Sequence, residues 1–208
     1  MPQTDSQTPF SEMVKKSPPV KPTNLAAGRE REYLTESELD ALLDAAKATG
    51  RNGFRDYVML MVAYRHGLRV GELVNLKWQQ IDFNRAELHV NRLKHGASSV
   101  QPLYGVEVRA LRRLKRECPD SSFVFCSERK GPLSERAVHR IVAAAGRKAK
   151  ISFPVHPHML RHTTGFKLAQ AGTDTRAIQA YLGHKNITHT TRYTKLESSR
   201  FKTFVQIL

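Results

Sequence analysis

The sequence predicts an α+β fold, mainly helical, with a small three-stranded antiparallel sheet. Three observations predict it. Apolar residues recur at helical spacing through most of the chain beyond residue 32. One stretch, from Trp78 to Leu103, switches to alternation. Capping residues and glycines bound the helical segments. With 208 residues, 40% of them hydrophobic, the chain has enough for one substantial domain or two small ones.

The elements follow in order. Residues 1–31 carry Pro2, Pro9, Pro18, Pro19 and Pro22 among Ser, Thr, Gln and Lys, with no sustained apolar period. A disordered basic tail is expected there, with the folded domain spanning 32–208. Thr35 and Glu38 fit a capping box, and Leu39, Leu42, Leu43 and Ala46 then form one helical stripe ending near Gly50. Phe54 to Arg65 is apolar nearly all round, which marks a core helix, and Gly67 breaks it. Val70 to Leu76 forms a short third helix with Arg69 at its entrance. WQQIDF, AELHV and SSVQPL alternate like strands, separated by Asn84-Arg85 and by Lys94-His95-Gly96. Val106 to Arg116 is helical again, and SSFVFC (Ser121 to Cys126) reads as a short buried strand. Ser134 opens a helix to Lys148 with Ala137, Val138, Ile141 and Val142 on its apolar face. Pro157 suits the first turn of the next helix, which ends at Gly172. Thr173 or Asp174 caps another, ending at Gly183, and a short helix carries Tyr193. Finally, Phe201, Phe204, Val205 and Leu208 share a helical face, packing either into the chain's own core or onto a neighbouring subunit.

Lys+Arg number 34 against 19 Asp+Glu, a net charge of +15. That balance favours a polyanionic partner, nucleic acid first and anionic membrane second, over a merely soluble basic surface. The basic residues recur from Arg51 to Lys202, so a folded basic face is expected rather than a basic arm. Cys118 and Cys126 show neither CxxC spacing nor a disulfide framework. The N-terminus has no apolar leader segment, and no apolar run approaches the roughly 20 residues of a membrane span. A soluble protein of a reducing cytoplasm is expected.

The chemistry gathers between His158 and Tyr193. HMLRH, LGH and RYT place two histidines, an arginine and a tyrosine in order. A phenol has a pKa near 10 and attacks nothing until cations surround it. A tyrosine among cations in so basic a chain points to attack on a phosphate. Planar, permanently charged arginine forks suit the extra charge on phosphate oxygens, and a lysine or histidine can protonate a leaving oxygen. Arg69, Arg161, His158 and His184 are candidates for these tasks. Lys94 on its hairpin is another, with Arg92 as its alternative. His156, His158 and His162 could suggest a metal cluster, but no Asp, Glu or suitably spaced Cys accompanies them. Asp174 to Thr194, two helices around Gly183, also fits a helix-turn-helix reader of DNA.

AYRHGLRVGEL, NRLKHGASSVQPL, HPHMLRH, AYLGH and TTRYT, in this order, resemble the active-site boxes of the tyrosine recombinases, the phage-integrase-like site-specific DNA enzymes. The wording is most similar to that of the short fimbrial phase-switch invertases. The resemblance covers about Tyr33 to Leu196 and implies their catalytic-domain fold. It implies Tyr193 as nucleophile, with Arg69 and Arg161 gripping the scissile phosphate. Lys94 would protonate the leaving 5′-oxygen, His158 would assist proton transfer at Tyr193, and His184 would hydrogen-bond the phosphate. Glu72 would orient Arg69. The implied reaction passes through a 3′-phosphotyrosine, without metal, cofactor or ATP, for DNA inversion or integration and excision. A type IB-like topoisomerase is the chemical alternative, and a non-catalytic helix-turn-helix regulator the other. The implied partners are double-stranded DNA with specific sites and, in a synaptic complex, three further copies of the chain. Monomers or weak oligomers are implied when free, with accessory DNA-bending proteins possible. The implied location is the bacterial cytoplasm, at the nucleoid. Unlike most relatives, this chain offers only the short tail where they carry a separate N-terminal core-binding domain.

Overall fold

The computed structural model describes residues 31–92 and 97–194. The tail up to residue 30, Lys94 with its hairpin turn, and the Phe201 to Leu208 face lie outside the described residues.

Eight helices and three strands are described. Glu36–Lys47 (α1), Gly53–Arg65 (α2) and Val70–Val74 (α3) precede the strands Ile81–Asp82 (β1), Glu87–Val90 (β2) and Ser99–Pro102 (β3). Gly105–Glu117 (α4), Glu135–Lys148 (α5), Pro157–Gln170 (α6), Thr175–Leu182 (α7) and Thr188–Thr194 (α8) follow. The capping box forms as expected: the Thr35 hydroxyl accepts from the Glu38 N–H, and Glu38 Oε2 accepts from the Thr35 N–H at 2.9 Å.

α2 is the central element. Val58, Met59, Leu60 and Val62 are all essentially inaccessible, and the helix packs against α1, α4 and α6. This is why its sequence is apolar nearly all round: each face meets another element. Leu39 and Leu42 of α1 with Val138 and Val142 of α5 complete the main core. Ala169, Ile178, Leu182 and Tyr193 form a second cluster among α6, α7 and α8.

The sheet is antiparallel with order β1-β2-β3; Ile81 faces Leu88, and Leu88 faces Gln101. It is smaller than the alternation predicts. Trp78–Gln80 forms a 3-10 turn, and only Ile81–Asp82 pairs as strand. Gln80 causes the difference: its side chain caps the Lys77 N–H at 3.0 Å and donates to the His89 carbonyl at 2.8 Å. Ser121 to Cys126 is buried at Val124 and Phe125 but is not a strand. It makes only isolated bridges among the described residues, Lys77 with Phe123 and Cys126 with Pro132. The third helix stops at Val74, where Asn75 turns back to donate to the Gly71 carbonyl. Among the described residues, no helix is long and apolar enough to cross a membrane.

Candidate active site

Helix α6 supplies the centre. His156 precedes it with extended backbone, and Pro157 sits in its first turn, where no N–H is missed. His158 and Arg161 are one turn apart, so they share a face. His158 is exposed at the outer end, whereas Arg161 is 1% exposed. The Arg161 guanidinium donates to the Gly67 carbonyl and, at 2.7 Å, to the Leu182 carbonyl. One side chain thereby ties the turn after α2 to the end of α7. That turn needs glycine: Gly67 has φ +56, and a Cβ there would stand 2.4 Å from Leu182.

Arg69 sits at the entrance of α3. Its guanidinium meets Glu72 Oε1 at 2.8 Å, and its backbone N–H is capped by Glu72 Oε2 at 2.9 Å. Glu72 Oε2 also accepts from Arg92 at 2.8 Å. Burial pushes the Glu72 carboxyl up, but the Arg69 N–H and the Arg92 and Arg69 guanidiniums outweigh it and hold it below the usual carboxylate range. Arg92 itself is buried and donates to the carbonyls of His66 and Tyr181. It is turned into the scaffold, so the reading of Arg92 as an alternative to Lys94 is corrected. An arginine just past the strand faces inward here because Glu72 and the carbonyls of His66, Gly67 and Tyr181 await it there.

Gly183 ends α7 in left-handed backbone, φ 65, with the His184 N–H returning to the Gln179 carbonyl and the Gly183 N–H to Ala180. This is a Schellman ending, and it fixes where His184 leaves the helix. Nδ1 of His184 is 2.8 Å from the Thr190 hydroxyl. Arg69, the α6 pair His158 and Arg161, and His184 thus come from three segments to line one open cleft of about 830 Å³. Arg176, Lys185 and His189 also line it. The sequence reading missed these three; the cationic Lys185 beside the Gly183 turn was the available signal.

Tyr193 lies next to the cleft but does not line it. It is 2% exposed. Its ring meets Phe166 edge-on at a centroid distance of 5.2 Å and stacks with His184 at 6.2 Å. Gly165 makes room, since a Cβ there would approach the phenol ring to 2.6 Å. The Tyr193 hydroxyl is hydrogen-bonded to Nδ1 of His162 at 2.9 Å. The expected contact with His158 is therefore made by His162 in this structure. Tyr193 lies on α8, whose inward side packs against α6, and helical phase puts the second histidine of HMLRH beneath the phenol. The i,i+4 spacing of His158 and His162 was legible; which of the two meets Tyr193 was not.

The electrostatics are lopsided. Burial, then Arg69 and Arg92, lower the Arg161 pKa to about 9. Burial, then Arg161 and Arg69, lower His184 to about 3. Although His158 is exposed as a whole residue, partial desolvation of its ring lowers it too, with Arg161 acting next. Burial raises the Tyr193 phenol, with Arg161 opposing it. Cations that depress one another's protonation form a site that gains from an incoming anion. His158 and His162 meet edge to face at 4.5 Å. Among the described residues, no cluster of three or more His, Cys, Asp or Glu could hold a metal ion.

A helical domain with a small sheet, displaying an anion-seeking cleft beside a buried tyrosine, defines a phosphoryl-transfer class of site. Residues 32–200 match the model of the phage integrase family. The chain is 42% identical over 178 residues to the type 1 fimbriae regulatory protein FimE of Escherichia coli K12, covering 83% of this chain and 89% of that one. It is 40% identical to FimB of the same strain over 183 residues, covering 86% and 91%. Tyrosine recombinase XerA of Pyrococcus furiosus is 34% identical over 83% of this chain and 60% of its own length. Among solved structures, a XerA recombinase superposes with a TM-score of 0.71 at 30% identity, covering 84% of this chain and 64% of that one. A lambda integrase dimer bound to a COC′ core site gives 0.64 at 25% identity, covering 78% and 47%. The chain belongs to the phage integrase family, the tyrosine recombinases, and is a DNA-recombining enzyme of that family.

Proposed function

We propose that Tyr193 attacks a scissile DNA phosphate held by Arg69 and Arg161, forming a 3′-phosphotyrosine and freeing a 5′-hydroxyl. The observation that carries this reading is the convergence of Arg69, His158, Arg161 and His184 on one cleft beside the helix of Tyr193. Two arginines and His184 face the non-bridging oxygens, where charge builds in the transition state. Glu72 acts as the orienting carboxylate of Arg69, which its 2.8 Å contact supports. Lys94 protonates the leaving 5′-oxygen; it follows Arg92, a partner of Glu72, by two positions in the chain. His158 lines the cleft and moves protons at the phosphate. Attack by the partner duplex's 5′-hydroxyl reverses the step, and the covalent link conserves the bond energy, so no ATP enters.

The unit that does this is residues 32–208, preceded by the basic proline-rich segment 1–31. It acts on specific double-stranded sites, as a homotetramer in the synaptic complex and with DNA-bending proteins where the site needs them, at the nucleoid in the cytoplasm. The net charge of +15 supports binding through many phosphate contacts, hence strong salt sensitivity. The test is Tyr193→Phe on a duplex nicked beside the inverted repeats flanking this chain's coding sequence. The wild-type protein should trap a covalent protein–DNA adduct and the variant none; an adduct in the variant defeats the assignment.

A further inference from the structure

One buried group beside the cleft has no task in this mechanism: His162, 4% exposed, between Tyr193 and the N-terminal edge of the domain. Its Nδ1 holds the Tyr193 hydroxyl at 2.9 Å, and its Nε2 lies 3.7 Å from Glu32 Oε2. A carboxylate on the Nε2 side favours the proton there, which leaves Nδ1 to accept from the phenol. Glu32 is also ion-paired with Arg192, the residue next to Tyr193. The flanking residues fasten the same strip. The Leu34 N–H donates to the Thr163 hydroxyl at 2.9 Å, and the Tyr33 ring lies 4.2 Å from that of Phe166, which also packs on Tyr193.

The outcome is a tyrosine with a satisfied hydroxyl, buried beside the cleft where Arg69 and Arg161 stand rather than exposed in it. We propose that His162 is the positioning residue of Tyr193, holding its phenol withdrawn from the phosphate cleft, with Glu32 as the outer half of the clasp. Resting on the reading of Tyr193 as nucleophile, this means that the phenol must leave Nδ1 of His162 before it attacks. Every molecule waiting in the withdrawn state lowers the observed rate in proportion to the fraction withdrawn. Burial also keeps the imidazole neutral, and His158, Arg192 and Arg161 act in the same direction, so it accepts the phenol's hydrogen bond without taking the proton.

The clasp is tested in the full-length protein by two readouts. The first is nitration of Tyr193 by tetranitromethane, followed by peptide mass mapping, which needs an accessible phenolate and no DNA. The second is the initial rate of covalent adduct on the nicked duplex described above. His162→Phe removes the acceptor of a buried donor and should raise both roughly tenfold. Glu32→Ala, at a half-exposed position outside the core, should raise both by about threefold and serves if His162→Phe fails to fold. His162→Asn, which offers an amide oxygen near the place of Nδ1, should return nitration toward the wild-type level; a purely structural role for the ring predicts no such rescue. Unchanged nitration in Glu32→Ala and His162→Phe overturns the clasp. So does raised nitration with an unchanged or lower adduct rate, because withdrawal would then not limit attack. Nitration in the expected order with no adduct from any protein, wild type included, would leave the clasp standing and defeat the nucleophile reading instead.

Discussion

Two buried polar clusters meet at the turn of His66 and Gly67, and they are built on opposite principles. On one side, His66 is closed. Its Nδ1 lies 2.8 Å from Gln101 Oε1 and its Nε2 lies 3.0 Å from Glu107 Oε1. Glu107, fully buried, also accepts from Arg65 at 3.3 Å and from the Tyr104 N–H at 3.0 Å. Burial pushes its carboxyl up, yet His66, the Tyr104 N–H and Arg65 more than offset this. On the other side, the Gly67 carbonyl begins the cleft cluster. There Arg69 and Arg92 pair with Glu72, while the hydrogen bonds of Arg161 end on carbonyls, which accept but carry no full charge. The first cluster is balanced and stiffens the joint between α2, α4 and β3. The second is short of negative charge, which on the proposed function a DNA phosphate would supply. Buried charge serves as scaffold where its partners are internal and as a binding site where the partner must arrive.

The contrast breaks if the clusters respond alike to mutation. Glu107→Ala should be the most damaging change to stability. It leaves a buried imidazole and a guanidinium unpaired, at a cost of about 3–5 kcal/mol in chemical denaturation, with adduct formation per folded molecule unchanged. A loss of activity in the folded fraction would show that this cluster also serves the chemistry. Arg161→Ala should do the reverse in kind. Adduct formation should fall by about 10²–10³, the scale for one preorganised donor in a transition state, with duplex binding retained in a mobility-shift assay at low salt. Loss of binding in parallel would assign Arg161 to ground-state grip alone.

The pH dependence of stability sharpens the contrast. His162 and His184 both have folded pKa values near 3 against an ordinary 6.5. Between those values the unfolded chain binds more protons, so stability is full above pH 6.5 and declines as pH falls toward 3. The melting temperature should drop steadily from pH 7 to pH 4. It should drop less with duplex DNA present, since a phosphate in the cleft favours protonated imidazole. A flat profile would mean that these histidines are not held neutral.

The legible part of the molecule was whatever depends on near neighbours. The Thr35–Glu38 capping box, Ser134 and Asp174 as helix caps and Gly183 as a helix ending all form as expected. Each is settled within a few residues by backbone hydrogen bonds and φ preference. The shorter sheet was illegible because one period of alternation in Trp78 to Gln80 suits a capped turn equally well. The family-like wording of the five boxes marks Arg69, His158, Arg161 and His184, and these four do meet in one cleft.

By itself, the sequence determined the helical order, the apolar all-round α2 that everything else must surround, and the excess of cations that calls for a polyanion. These are sums over composition and short-range spacing, which no distant contact can change. Tertiary structure alone decided which groups face each other. Arg92 turned inward to Glu72 and the Tyr181 carbonyl rather than outward toward the cleft. His162, not His158, came to lie under the phenol of Tyr193, and Glu32 closed over it. Such choices rest on packing between residues up to 160 positions apart, where a shift of one turn along the helix axis exchanges one histidine for another.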